Sequence, residues 1–387
     1  MSFFWLLLGL VAGLIIGTLG ASGTLRWQRG RRRSGPYRQR VDAALAHVAA
    51  GDHAAAREAL REATQLESGD DAIFLLLGEE MRRSGDFSRA EKIFDVVLAR
   101  RELDPGIRST CHLLRGRLME DEGRDEEALE AYRQAIEAAP DRVPPIVALG
   151  RLHSRFRRWE EAIDNAEKLQ RLNPERGRLI AARRRVLLAR EKVAEGDARG
   201  ALELARKAAA DVPDLAAAKV ALGDALYQLG KVAAAREAWV EAAGLAPWLV
   251  PASLDRLESL ATATGDREAV RHFATAEVDK GLDPDVGWRV LAWLADEALR
   301  RDALGEARRW CRELERSAPR SATAARLWAR LAAAEDGMRA GPALLEVLHG
   351  WQEEPIWIDP WTCRSCGHES GQLEWRCPRC QAWESYR

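Results

Sequence analysis

Apolar and polar residues alternate at helical spacing through most of the chain, from Tyr37 to about Pro355. Leu, Ala and Val recur at every third or fourth position, and short segments containing Gly or Pro separate these stretches. The pattern predicts helix after helix. A coiled coil is the alternative for so much helix, but regular Gly and Pro interruptions exclude it. We therefore expect an all-α fold.

The helical pattern also repeats along the sequence. The same residue types recur 34 positions apart at Gly116 and Gly150, Ala128 and Ala162, Pro140 and Pro174, Gly196 and Gly230, Ala201 and Ala235, and Pro213 and Pro247. Small residues let the two helices of a unit approach closely, and the proline ends the second helix. Such units resemble the tetratricopeptide repeat. The resemblance implies a tetratricopeptide-repeat superhelix of about nine repeats over residues 37–355.

The N-terminus carries a long apolar segment, Phe3–Ala21, without a charged residue. As a helix it would span about 28 Å, close to the thickness of the hydrocarbon core of a bilayer. A cleaved signal peptide is the alternative, but no positive charge precedes the segment and it is longer than a usual signal core. We predict a transmembrane helix at residues 1–22.

Seven arginines follow this segment before the first acidic residue, Asp42. Such a basic run stays on the cytoplasmic side, which places the N-terminus outside and the body inside. We predict a juxtamembrane linker at residues 23–36 that contacts anionic membrane lipids. Gly9, Gly13 and Gly17 lie four residues apart, a spacing that lets two membrane helices pack closely and keeps a homodimer open.

Four cysteines mark the other end of the chain. Cys363, Cys366, Cys377 and Cys380 form two C-x2-C pairs separated by ten residues. This spacing suits one zinc ion or one rubredoxin-like iron, and two disulfides are the alternative. Because every ligand position is a cysteine, none is left for water, which favours a structural role. We predict a small metal-binding module at residues 356–387.

Composition and charge exclude several functions. The chain is 47% hydrophobic and 31% charged, with a net charge of −1. Beyond the basic run the body is net acidic, which argues against binding to nucleic acid. Cys111 and Cys311 lie within helical patterns and are interpreted as small buried hydrophobic residues. The sequence contains no phosphate loop, G-x-S-x-G elbow or H-E-x-x-H motif, so we do not expect an enzyme.

Arginines recur on the predicted first helices of the repeats. They are Arg82, Arg117, Arg151, Arg183 and Arg190. First helices line the face of a repeat array that usually binds a peptide or a protein. We interpret these arginines as candidate partners for carboxylates of another protein. A solvated charged surface is the alternative.

The whole arrangement resembles the lipopolysaccharide assembly protein B family. The resemblance is specific at the C-terminus, where Gly367, Pro378 and Trp383 accompany the four cysteines. It implies a single-pass protein of the inner membrane with a periplasmic N-terminus, a cytoplasmic body and one iron or zinc ion on the four cysteines. Gln381 stands where rubredoxins usually have glycine, which weakens the case for a redox-tuned iron.

The same resemblance implies protein partners. They are a membrane-bound AAA+ metalloprotease, the lipid A pathway deacetylase that it degrades, and other lipopolysaccharide assembly proteins. Three hypotheses follow: an adaptor that promotes this degradation, a general scaffold for envelope assembly, and a rubredoxin-like electron carrier. The sequence does not separate the first two. A reversible change in visible absorbance on reduction would identify the third, since a zinc site has no visible absorption band.

Overall fold

The computed structural model describes residues 35–66, 69–283, 285–319, 321–335 and 359–386. These residues form seventeen α-helices, one 3-10 turn and one two-stranded sheet, so the predicted all-α fold with a small C-terminal module is confirmed. None of the described helices combines the length and the apolar character that a membrane span requires. The predicted anchor at residues 1–22 lies outside the described residues, as does nearly all of the predicted linker.

The helices follow one another with short connections. They are α1 (Gly35–Ala50), α2 (His53–Leu66), α3 (Asp71–Arg83), α4 (Phe87–Leu98), α5 (Pro105–Asp121), α6 (Asp125–Ala138), α7 (Val143–Arg155), α8 (Trp159–Leu172), α9 (Pro174–Ala194), α10 (Ala198–Asp211), α11 (Ala216–Gln228), α12 (Val232–Leu245), α13 (Val250–Thr264), α14 (Arg267–Lys280), α15 (Trp288–Arg300), α16 (Leu304–Ser317) and α17 (Ala322–Glu335). The 3-10 turn, Pro247–Leu249, precedes α13, and strands β1 (Trp361–Thr362) and β2 (Glu369–Ser370) follow α17.

The chain divides into two compact units, residues 1–177 and 178–387. In the first unit, consecutive helices pack as pairs, and in α3–α4 and α5–α6 a glycine of the first helix faces an aromatic ring of the second. A Cβ atom placed on Gly116 of α5 would lie only 2.5 Å from Cε1 of Tyr132 on α6. Glycine is therefore required at this position, because any side chain would displace the buried tyrosine.

The second unit repeats this arrangement. A Cβ atom on Gly223 of α11 would lie 2.4 Å from Nε1 of Trp239 on α12. That indole nitrogen donates a hydrogen bond to Asp224 at 2.9 Å, so the tryptophan is both packed and satisfied. The core of this unit also includes Trp375, which belongs to the C-terminal module. The module is thus part of the folded unit and shares its core.

Candidate metal centre

The module folds as a short hairpin followed by a return of the chain. Strands β1 and β2 pair antiparallel, with Trp361 opposite Ser370. Two further backbone bridges close the module: Cys363 pairs with Tyr386, and Arg376 pairs with Trp383. These pairings hold the two C-x2-C segments side by side, as the spacing of the cysteines predicts.

The two C-x2-C segments adopt the same turn. The N–H of Gly367 donates to the carbonyl of Cys363 at 2.8 Å, and the N–H of Gln381 donates to the carbonyl of Cys377 at 2.9 Å. Gly367 has φ 71°, and Gln381 takes almost the same left-handed conformation at φ 63°. Glycine adopts this conformation without strain, whereas glutamine does so at a cost. The Gln381 side chain compensates in part by donating to the carbonyl of Pro378 at 2.7 Å.

The four sulfurs form a compact cluster. The Sγ atoms of Cys363 and Cys380 are 3.7 Å apart, as are those of Cys366 and Cys377, and all four lie within 4.8 Å of one another. A tetrahedral ion with metal–sulfur bonds of about 2.3 Å requires sulfurs about 3.8 Å apart. A disulfide would need about 2.05 Å, so the two-disulfide alternative is wrong. The cluster fits one metal ion.

Hydrogen bonds prepare the first cysteine of each pair to be a thiolate. Burial acts to raise the pKa of Cys363, but the Ser385 hydroxyl and the N–H groups of Ser365 and Cys366 outweigh it and lower the pKa to about 6. The pKa of Cys377 is also lowered: burial opposes this, and N–H donors and the hydroxyl of a nearby tyrosine outweigh it. Bound zinc or iron would supply the positive charge that four adjacent thiolates require.

The fourth cysteine shows why a cation is needed. The N–H of Ala382 acts to lower the pKa of Cys380, but burial and the three neighbouring sulfurs raise it to about 12. Cys380 is also the exposed ligand, whereas Cys363 and Cys377 are buried. One edge of the cluster therefore faces solvent, and the opposite edge faces the protein.

The module is held against the second unit by a buried arginine of α15. Arg289 is 1% exposed, and its guanidinium carbon lies 4.1 Å from the ring centre of Trp361 and 4.4 Å from that of Trp288. Its NH2 group donates to the carbonyls of Asp359 and Pro360, both at 3.1 Å. Burial lowers its pKa to about 10, so the side chain stays charged at neutral pH. A desolvated cation on an aromatic face contributes about 2 kcal/mol or more.

A second attachment caps the last described helix. The carboxylate of Asp359 accepts hydrogen bonds from the hydroxyls of Thr323 and Ser321, at 2.6 and 2.8 Å, and from the N–H groups of Ala322 and Thr323, at 3.2 and 3.1 Å. These N–H groups lie at the start of α17, where a negative charge is stabilised. Burial acts to raise the pKa of Asp359, but these donors outweigh it and lower the pKa.

Two of the arginines predicted from the sequence also contact the module. Arg190 of α9 donates to Glu374 at 2.7 Å, and the guanidinium of Arg183 lies 5.2 Å from the ring centre of Trp383. The module also packs Trp375 edge-on against Trp248, with ring centres 6.1 Å apart. Helices α9 and α15, both first helices of pairs, therefore form part of the surface on which the module packs.

The other three predicted arginines lie in the first unit. Arg82 forms ion pairs with Glu79 and Asp121, and Arg151 pairs with Glu120. Burial acts to raise the pKa of Glu79, but Arg82, Arg83 and, to the smallest extent, Arg117 outweigh it and lower the pKa. The interpretation that these side chains bind carboxylates of another protein stays a prediction.

Arg289 and Asp359 were not singled out in the sequence analysis, although they carry the attachment of the module. One signal was present for the arginine: it is the only charged residue in the run from Val286 to Ala295. A lone charge in such an apolar run must find a partner inside the protein. Asp359 carries no comparable signal, because its helix partner lies 36 residues away in sequence.

The fold and the site together define a tetratricopeptide-repeat protein with a C-terminal four-cysteine metal module. Comparison with known families agrees: residues 361–387 match the rubredoxin metal binding domain, and residues 47–110, 110–142 and 186–247 match tetratricopeptide repeats. Such repeats bind other proteins.

Comparison with individual proteins extends the likeness over most of the chain. The chain is 25% identical over 323 residues to lipopolysaccharide assembly protein B of Escherichia coli strain K12, covering 83% of this chain and 82% of that protein. The protein of the same name from Escherichia coli O157:H7 matches to the same extent. The predicted resemblance to the lipopolysaccharide assembly protein B family is confirmed.

A solved structure gives a weaker likeness. The crystal structure of a tetratricopeptide repeat protein from Parabacteroides merdae ATCC 43184 aligns with a TM-score of 0.37 and 18% identity. The alignment covers 66% of this chain and 98% of that one. The likeness is too low to add to the fold assignment.

Proposed function

We propose that this chain is a membrane-anchored cytoplasmic adaptor that regulates lipopolysaccharide synthesis. It promotes degradation of the lipid A pathway deacetylase by a membrane-bound AAA+ metalloprotease. The observation that carries the proposal is the match to lipopolysaccharide assembly protein B over 83% of the chain, together with the match of residues 361–387 to the rubredoxin metal binding domain. The anchor and the cytoplasmic body are predicted from the apolar segment and the arginines that follow it, and the two partners come from the family resemblance.

The architecture supports action by binding. Among the described residues, the four cysteines are the only cluster of His, Cys, Asp or Glu that could hold a metal ion, and all its ligand positions are taken by sulfur. A repeat array without a reactive centre acts through the proteins that it contacts. An anchor would raise the local concentration of membrane-bound partners, so that modest affinities suffice for delivery of a substrate.

The metal module has a structural part in this proposal. Its residues form only one short hairpin and are too few to bury a core of their own. The ion would hold the two C-x2-C turns together, and Trp361, Trp375 and Trp383 would then keep their places against α9, α15 and the 3-10 turn. We assign partner binding to the docked module and the first helices that it contacts.

The direct test is the half-life of the deacetylase in cells that lack the chromosomal copy of this protein. Cells carrying the full chain should degrade the deacetylase quickly, and cells without the protein should accumulate it. A chain that lacks residues 1–30, expressed at a matched level, should fail to restore degradation. If it restores normal turnover, co-localisation at the membrane is not the mechanism.

The scaffold alternative predicts a different result. Deacetylase turnover would then be unchanged when the whole protein is absent, while the assembly of lipopolysaccharide would still be impaired. An electron carrier would instead show a visible absorbance band that a reductant bleaches reversibly. Each of these outcomes would contradict the adaptor proposal.

A further inference from the structure

Helix α12 exposes apolar side chains beside its buried face. Ala235 and Trp239 are buried within the second unit. Val232 is 37% exposed and Val240 is 40% exposed. Because these two valines line the same groove, they form part of one apolar surface on the outer side of α12 and are not isolated exposed residues.

This outer side borders an apolar groove. Helices α12 and α14 both pack on α13, and a groove of about 700 Å³ lies between them. Leu257 and Leu260 of α13 line it, together with Val270 and Phe273 of α14. This volume lies within the range of about 300–1,000 Å³ that is usual for binding pockets. A groove bounded by helices suits an amphipathic helix laid along it.

The rim of the groove is acidic. It carries three carboxylates, Glu237, Glu241 and Asp266, and one guanidinium, Arg236. Glu241 is paired with Lys219 at 2.7 Å, and Asp266 accepts from an N–H group at the start of α14. With Lys219 counted, the rim carries three carboxylates and two cations, so its net charge is −1, which favours a basic partner over an acidic one.

We propose that this groove binds a basic amphipathic helix of a partner protein. Its apolar side chains, spaced at i, i+3 or i+4, and i+7, fill the space between α12 and α14, and its lysines or arginines lie against Glu237, Glu241 and Asp266. A second copy of this chain is a poorer occupant, because a two-fold interface would place the same acidic rim opposite itself. The inference does not depend on the pathway role proposed above.

The test is a binding measurement on the full chain held in phosphatidylcholine nanodiscs. The probe is a fluorescent amphipathic peptide helix with leucine on one face and lysine on the other, and empty nanodiscs give the background. Saturable binding is expected. Val240→Glu should weaken it by about tenfold or more, because it buries a charge against the apolar face. Glu237→Lys should weaken it by about threefold or more through lost attraction.

The matched control is Val96→Glu. Val96 is 55% exposed and lies on α4, in the first unit, so its substitution should leave binding unchanged. Val232→Glu provides a second groove variant in case Val240→Glu lowers the melting temperature. The proposal is wrong if the peptide does not bind above background, if Val96→Glu weakens binding equally, or if a peptide with glutamate in place of lysine binds as well. Conversion of a dimer to a monomer by Val240→Glu, measured by light scattering, would assign the groove to a second copy instead.

Discussion

The two units use the same kind of side chain for different purposes. In the first unit, Arg82 and Arg151 on first helices pair with carboxylates of their own or neighbouring repeats. In the second unit, Arg183 and Arg190 on α9 contact the metal module instead. The ion pairs of Arg82 and Arg151 stay within the repeats, whereas the contacts of Arg183 and Arg190 hold the module against α9. An arginine on a first helix therefore has no fixed role.

The arginines of the two units also differ in how deeply their side chains are buried. Arg151 is 52% exposed at its side chain, and its partner Glu120 is 8% exposed. Arg289, on a first helix of the second unit, is 1% exposed and stacks against two indole rings. Removing a charge from water is favourable only when aromatic faces and carbonyl oxygens replace the water. The second unit provides these groups through the metal module.

The largest effect should come from the metal ligands. Cys377→Ser removes one of four thiolates, and a structural ion of this kind contributes on the order of 10 kcal/mol to folding. We expect loss of the metal and proteolysis within residues 359–386, while the helices of the first unit stay folded. Metal analysis and limited proteolysis measure both effects.

The control for this prediction is Cys311→Ala. Cys311 is buried in α16 and is not part of the sulfur cluster, so the metal content should not change. One metal ion per chain in the Cys377→Ser protein, with a protease-resistant C-terminus, would contradict the metal assignment.

The next effect should come from Arg289. Arg289→Ala should destabilise the second unit by roughly 3 kcal/mol, because it removes a desolvated cation–π contact and two charged hydrogen bonds. Arg133→Ala is the matched change in the first unit and should cost about 0–1 kcal/mol, since its ion pair with Glu130 is exposed at both side chains. Urea denaturation of the two variants gives both numbers. Equal losses would mean that the module is not held through Arg289.

A smaller effect should come from Asp359 and should depend on pH. Asp359→Asn weakens the cap of α17 and should cost about 1 kcal/mol at neutral pH. Because the pKa of Asp359 is lowered in the folded protein, its contribution is present above the unfolded pKa of about 3.9 and is lost as the pH falls through the folded value. A difference in stability between the two proteins that stays the same from neutral pH to below the folded pKa of Asp359 would exclude this role.

The smallest effect concerns Gln381 and should be stabilising. Gln381→Gly relieves the left-handed conformation at φ 63° and should stabilise the module by about 0.5–1 kcal/mol, less the lost hydrogen bond to Pro378. Gln381→Ala is the control: it loses the bond, keeps the strain and should destabilise. Thermal unfolding of the metal-loaded proteins ranks the stabilities of the native protein and the two variants. A glycine variant less stable than the native protein would show that the side-chain hydrogen bond outweighs the strain.

The repeats and the metal cluster were predictable because the residues that contact one another there lie close together in the sequence. Gly116 and Tyr132 lie within one helix pair, and Cys363 and Cys380 lie within one module of fewer than 30 described residues, so spacing along the chain largely fixes spacing in space. The surface on which the module packs was not predictable. It depends on pairs such as Arg190 with Glu374, which are 184 residues apart, and no periodicity links residues at that separation.

We propose that regulation requires docking of the module and not only the bound metal. The half-life of the deacetylase in cells that express Arg289→Ala at the native level tests this most directly, because this variant keeps all four cysteines. We predict that the purified variant retains its metal ion and that the deacetylase half-life rises to the value found without the protein. Hydrogen exchange would show whether the module has detached from α9 and α15 in this variant. A normal deacetylase half-life despite such detachment would contradict the central claim.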